Sequence, residues 1–330
     1  MCYLGRVRES PETVTDERPT ATVPSWAAFF DEHRYAAFVD AVAQELEGRN
    51  ELVEIEDGVA HVTLEGEQEA HSFGLQNLAQ ICNQAEPHEW PEIIRHHFDG
   101  VVRSTTGDHL AGLADDYARV QRVLKVRLYP AEAVEDSLDG LEHRIVGEGL
   151  VAVLTYDLPD AVATVPRTDL AKWPIDADEA FAMGMRNVLA ETGIEHERIQ
   201  LESGAVFSAM VGDSFFVTSR LLSLETFISP TSQFGALVAV PNRHTLLWAP
   251  IVDLSVLDVL NALLVIAYRR YEEGPGSLSP YVYWWRPDGS LVTLPAEVHG
   301  DSLQFAPPPD FLEDCLNELA APHDDGYGPN

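Results

Sequence analysis

Between Trp26 and Leu46 the apolar residues Phe29, Phe30, Ala36, Phe38, Val39, Val42 and Leu46 recur at helical spacing and predict a helix with one core-facing side. Polar and apolar residues then alternate through LVEIEDGVAHVTL, around Asp57-Gly58. That dipeptide predicts a tight hairpin, because glycine accepts a positive φ without penalty. Helical spacing returns at Leu75 to Cys82 and at Trp90 to Val102, with Pro91 placed in a first turn, where its missing N–H costs nothing.

The second half repeats itself. Leu150-Val-Ala-Val153 recurs as Leu237-Val-Ala-Val240, and Asp169-Leu170 recurs as Asp253-Leu254. In each copy a strand, a turn and a second strand lead into a helix. The first helix is expected from Asp176, with Glu179 three residues later as its capping partner, to Gly193. The second is expected from Ser255, with Asp258 three residues later, to the Gly274-Pro275-Gly276 stop. Each hairpin has an apolar face and each helix an apolar stripe, so two copies can cover one another. Further strands are expected at Leu124 to Leu128, Val206 to Met210, Ser214 to Val217 and Tyr281 to Trp285.

These patterns predict an α+β fold, mainly antiparallel sheet with a repeated ββα unit, preceded by a small helical and hairpin lobe. The expected boundaries are a disordered arm at 1–25, the lobe at 26–110, the repeated unit at 111–300 and an acidic tail at 301–330. The arm is rich in Pro, Thr, Glu and Arg and has no hydrophobic period, and the tail holds seven acids and no Lys or Arg, so both ends are expected to be loose.

Charge narrows the partners. There are 54 acidic residues against 21 basic ones, a formal charge of −33, and only Lys125 and Lys172 are lysines. Lysine scarcity beside abundant Ala, Val, Arg and Asp is the composition of a GC-rich bacterial genome. Such acidity repels nucleic-acid phosphates and anionic lipid heads, so the expected partner is another protein, with no nucleic acid and no membrane, and self-association is compatible with the pattern. Cys2, Cys82 and Cys315 stand at no metal spacing, and no apolar signal segment precedes them, which points to the cytoplasm and reduced thiols. The most apolar helical stretch, Val256 to Tyr268, is interrupted by Asp258 and Asn261 and is too short for a membrane span.

Four stretches, VVRSTTG at 101–107, AFAMGMRNVLAETG at 180–193, GDSFFVTSRLL at 212–222 and LVAVPNRHTLL at 237–247, occur in an order and spacing that resembles the uncharacterised bacterial YtpQ-like family, a cytoplasmic domain of unknown function. The likeness covers residues 26 to 295. It implies no activity and no cofactor. It marks as matching positions Arg103 and Ser104, Asn187, Asp213, Ser219 and Arg220, and the turn Pro241 to Arg243. Each has a structural alternative: Asn187 as a cap for a neighbouring strand, Arg220 as a partner of Asp213 that holds a loop.

Motifs of known chemistry are missing. An amino-terminal Cys nucleophile would follow Met as in Met-Cys-Gly, but here the third residue is Tyr and the arm lacks a strand. His88, His96 and His97 do not share a helix face at the four-residue spacing of a zinc pair. No nucleophile elbow and no glycine-rich phosphate loop occurs. No cofactor and no metal are therefore expected. The candidate binding residues are Arg103, Asn187, Asp213, Arg220, Arg243 and His244. On the hairpin tip Pro241 to His244, Arg243 is the residue to suspect, its planar fork suited to a carboxylate such as Asp213 or to a bound anion, while His244 is expected to behave as an ordinary surface residue.

One more feature suggests a partner surface. Tyr281-Val-Tyr-Trp-Trp285-Arg286 sets Tyr281, Tyr283 and Trp285 on one strand face and Trp284 on the other, so an interaction surface of Tyr281, Tyr283, Trp284, Trp285 and Arg286 is one expectation. The alternative covers both faces, one with the helix after 255 and one with the lobe before 110. The functional expectation is a non-enzymatic cytoplasmic interaction protein, an adaptor, inhibitor or immunity-type factor. The competing one is a novel enzyme acting on a small anionic or amide substrate in a cleft between the repeats.

Overall fold

The computed structural model describes residues 23–49, 52–56, 58–63, 71–106, 112–159, 161–228, 232–299 and 302–321, so most of the expected arm lies outside the described residues. Asp31 starts the first helix, α1 (Glu32–Glu47), by accepting a hydrogen bond from the Arg34 backbone N–H, and Phe38, Val42 and Leu46 form its buried side. Strands β1 (Leu52–Glu56), β2 (Val59–Thr63) and β3 (His71–Gly74) make an antiparallel three-stranded sheet. Gly58 turns the hairpin at φ 79°, and a Cβ there would stand 2.6 Å from the Trp26 indole. Helices α2 (Gln76–Gln84) and α3 (Trp90–Thr106) complete a lobe whose core holds Phe30, Phe38, Leu78, Trp90, Ile94 and Phe98.

The larger body contains two antiparallel sheets. After α4 (Tyr117–Val123) come β4 (Leu124–Pro130), β5 (His143–Gly147), β6 (Leu150–Leu158) and β7 (Ala161–Thr164), with β6 paired to β4 along one edge and to β5 and then β7 along the other. The short α5 (Arg167–Leu170) leads to α6 (Ala177–Leu189), which begins with the expected capping box of Asp176 and Glu179. The second sheet takes β8 (Glu195–Gln200), β9 (Val206–Val211), β10 (Ala236–Asn242), β11 (Thr245–Pro250), β12 (Val282–Trp285) and β13 (Leu291–Leu294) in the order β13-β12-β10-β11-β9-β8. Helix α7 (Val256–Glu273) follows β11, and a hairpin of β14 (Ala296–His299) and β15 (Ser302–Phe305) follows β13. The protein is thus α+β with antiparallel sheets.

The sequence repeat has a structural meaning. In the first copy Leu150 and Ala152 share a core with Ala180, Phe181 and Met183 of α6, and in the second Leu237 and Ala239 share one with Val259, Leu260 and Leu263 of α7. Leucine and alanine therefore face their own helix in both copies. The valines diverge. Val151 and Val153 meet Val134 and Leu141 in a small separate cluster, whereas Val238 and Val240 join the core that contains α6. One core therefore joins the copies, the Val238 and Val240 face of the second sheet lying against the first unit and its α6, while α7 covers the other face of the second sheet.

Four expectations need correction. Ser214 to Val217 is not a strand but a turn entering a 3-10 segment, Thr218–Thr226. Ser255 has helical backbone angles and gives no side-chain cap; Asp253 instead accepts from its N–H at 2.8 Å. The tail is not loose from residue 301, because the helical segment 309–320 packs Phe311 and Cys315, both fully buried, into the core beneath α7. The aromatic strand is scaffold: Val282 and Trp284 face the α7 core, and Tyr283 faces the first unit beside Gly147 and Leu291, not the lobe before residue 110. Trp284 donates to Phe234 O at 2.8 Å, and Arg286 lies over its ring and is bonded to Asp310. Trp285 is half-buried, so of the five residues expected to form a surface only Tyr281 is exposed.

Candidate functional site

Most of the candidate residues have structural duties. Asn187 donates from Nδ2 to Gln121 O (2.9 Å) and Leu124 O (2.7 Å), closing the carboxyl end of α4 where β4 begins. Arg220 does not pair with Asp213. It is buried beside the end of α6 and donates to Val188 O (3.2 Å) and Glu191 O (3.0 Å), and burial lowers its pKa against the opposing pull of Glu191. Asp213 is exposed. Arg103 sits in the last turns of α3, and its side chain lies outside the described residues.

Arg243 and His244 form the two-residue tip between Asn242 and Thr245. The tip is docked, not free. Arg243 N–H donates to Gly276 O (2.9 Å), Leu278 N–H donates to Pro241 O (2.9 Å), and Gly276 N–H donates to Asn77 Oδ1 at the start of α2 (2.8 Å). Gln80 and Gln84 of α2 add bonds to Ser277 Oγ and to the carbonyls of Glu273 and Gly274. Loop 274–278 therefore ties the hairpin of the second repeat to the lobe. Gly276, at φ 78°, lets the Arg243 side chain lie against its Cα; a Cβ there would stand 2.6 Å from Arg243 Nε.

The side chains of this region form a cationic cluster. The Arg243 guanidinium lies 4.5 Å from the centroid of Phe215, and the Arg127 guanidinium lies 5.5 Å from the same ring and 4.7 Å from that of Tyr129. Arg127 Nε is buried without a partner. Burial and then the charge of Arg127 push the Arg243 pKa down to about 10, with Tyr129 opposing. His97, from α3, is held below its ordinary value by burial and next by the charge of Arg243. His244 is half-buried, contrary to expectation; its pKa is lowered by burial and then by Arg243, against smaller opposing contributions from Gly212, Asp213 and Ser214.

The neighbouring cation is treated differently. Lys125, two residues before Arg127 on β4, is bonded to Asp157 (2.6 Å) and to Glu191, whose other oxygen accepts from Ser214 Oγ (2.6 Å). Among the described residues no carboxylate pairs with Arg127 or Arg243. Uncompensated cations in a partly desolvated seam are costly, and a bound anion removes that cost.

Arg127 opens onto a cleft of about 260 Å³ lined by Gln76, Asn77, Tyr129, Glu132, Tyr271 and Ser277, among others, so that one carboxylate shares it with the guanidinium. A larger cleft of about 560 Å³ lies nearby; it shares Glu132 with the first, adds Glu135 and Glu148, has no arginine in its lining and would repel an anion. Among the described residues no group of three His, Cys, Asp or Glu side chains is placed to hold a metal ion. The buried thiols of Cys82 and Cys315 are each pushed up to about 12 by desolvation, the wrong direction for a nucleophile.

Sequence reasoning missed Arg127, Phe215 and His97 as members of one cluster. A signal was present for the first: in Leu-Lys-Val-Arg-Leu the two cations alternate with buried apolar residues, an unusual use of basic residues in a chain so short of them. No family model, no curated protein and no solved structure matches this chain.

Proposed function

We propose that this is a non-enzymatic binding protein that recognises a small anion, a phosphoryl or carboxylate group, in the seam between lobe and body. The observation that carries the reading is the pair Arg127 and Arg243, both against Phe215 and both without a carboxylate partner among the described residues, in a chain of charge −33. The cleft is just below the ~300–1,000 Å³ of typical drug-sized sites, which suits a small ligand. A proton-transfer role for His244 is disfavoured because Arg243 Nε donates to its Nε2 (3.0 Å) while its Nδ1 donates to Gly212 O (3.1 Å). Phe215, Arg243 and His244 come from two of the stretches that resemble the YtpQ-like family, and membership of it belongs to the same proposal. A cytoplasmic setting does too, supported by two buried free cysteines and by the absence, among the described residues, of a helix long and apolar enough to cross a membrane.

Thermal denaturation with inorganic phosphate and with succinate, beside sulfate as a control for general anion effects, tests the reading. At 100-fold excess over Kd a bound anion stabilises by about 2.7 kcal/mol. One of the two ligands is expected to raise Tm of the wild type well beyond sulfate, and Arg127→Met and Arg243→Met are expected to abolish the rise. No rise with either ligand, or an undiminished rise in both variants, would overturn it.

A further inference from the structure

Helix α7 buries Val256, Val259, Leu260, Leu263, Leu264 and Ala267 against the second sheet. Its outer side is also apolar. Of the ten exposed large hydrophobic residues among the described ones, Val252, Leu254, Leu257, Val265 and Tyr268 all fall within this helix and the turn that leads into it, so the exposed apolar surface is concentrated here and not scattered. Leu257, Asn261, Val265 and Tyr268 are spaced by four, four and three residues, the spacing of a stripe that meets another helix, with one asparagine interrupting it. Val252 and Leu254 extend the stripe past the amino end, beside a dent of about 320 Å³ lined by Val206, Pro250 and Val259 among others.

The charges beside the stripe are self-complementary. Asp258 lies in the first turn of α7 and Arg269 near its end, both exposed, and neither makes an ion pair among the described residues. In an antiparallel pair with a two-fold axis between residues 263 and 264, Asp258 stands level with the partner's Arg269, and the relation is repeated on the other side of the axis. Tyr268 then lies at nearly the height of the partner's Leu257. A surface that pairs with itself under a two-fold axis is what an isologous dimer requires.

We propose that α7 is a homodimer interface, on which a second copy of this chain lays its own α7 antiparallel, with Leu257, Val265 and Tyr268 as the apolar seam and Asp258 against the partner's Arg269. The charge of −33 on each copy opposes association, so the pairing strengthens as salt screens the long-range repulsion.

Sedimentation equilibrium of the full chain at ~0.15 M salt, where the Debye length is about 8 Å, is the test. A concentration-dependent dimer is expected. Tyr268→Glu should yield monomer with an unchanged circular dichroism spectrum, and Leu257→Glu serves as the second variant should the first fail to fold. Asp258→Arg and Arg269→Asp should each weaken the dimer about tenfold or more, since each sets like charges opposite one another; the double exchange should restore it. A wild type that stays monomeric, a dimer indifferent to both Glu variants, or a double exchange no better than its single parents would overturn the assignment. The anion-dependent Tm shift is read separately, so failure of either proposal leaves the other standing.

Discussion

Arg243 Nε donates a hydrogen bond to Nε2 of His244, its neighbour in sequence, at 3.0 Å. The bond requires a neutral imidazole with its proton on Nδ1, and Gly212 O accepts that proton at 3.1 Å. Protonating His244 would set a second positive charge against the guanidinium and remove the acceptor.

Acid should therefore loosen the seam. Both His244 and His97 are lowered from 6.5, by burial first and by Arg243 next, so below 6.5 the unfolded chain binds more protons than the folded one. Their stabilising contribution is complete above 6.5 and is lost as pH falls through the lowered folded values. Urea midpoints measured between about pH 7.5 and 5 are expected to fall in the wild type and to fall less in His97→Gln and His244→Gln. Equal slopes in all three proteins would contradict this.

Gly276→Ala should disturb Arg243 directly. The new Cβ meets the arginine side chain and the backbone is held at positive φ, a strain of ~1–3 kcal/mol. Chemical denaturation is expected to show that loss, together with a weaker response to the anion that stabilises the wild type.

Asn187→Ala is expected to separate structure from site. It leaves Gln121 O and Leu124 O without their shared donor and should cost ~1–3 kcal/mol. Anion affinity, measured calorimetrically at a temperature where the variant is folded, should stay within error of the wild type.

The carboxyl-terminal segment should behave as core up to residue 321. Truncation after Phe305 removes Phe311 and Cys315 from beneath α7 and should destabilise by at least the ~3–5 kcal/mol of a buried Phe→Ala change. Equal melting temperatures for the truncated and the full-length chain would show that the segment packs weakly.

Leu247→Ala gives a reference for the body. Leu247 lies on β11 in the α7 core, 3% exposed, and its truncation should cost ~2–5 kcal/mol in equilibrium unfolding.

The sequence by itself determined the elements whose causes are local. The period of Phe38, Val42 and Leu46 makes α1, Gly58 turns the β1-β2 hairpin, Asp176 and Glu179 cap α6, and the repeated Leu-Val-Ala-Val places β6 and β10 at the centres of their sheets. Each depends on residues a few positions apart, where spacing and backbone preference decide the outcome. Tertiary structure alone decided the rest. Arg127, Phe215 and Arg243 lie on β4, a turn and a hairpin tip, which meet only where the two sheets of the body pack, and the docking of the lobe through loop 274–278 adds His97 of α3. The same holds for Tyr283 and Trp284: alternation assigns them to opposite faces, but whether each face is covered depends on α7 and the first sheet arriving from distant parts of the chain. Burial and the field of neighbouring charges are properties of that assembly, and no short window of sequence contains them.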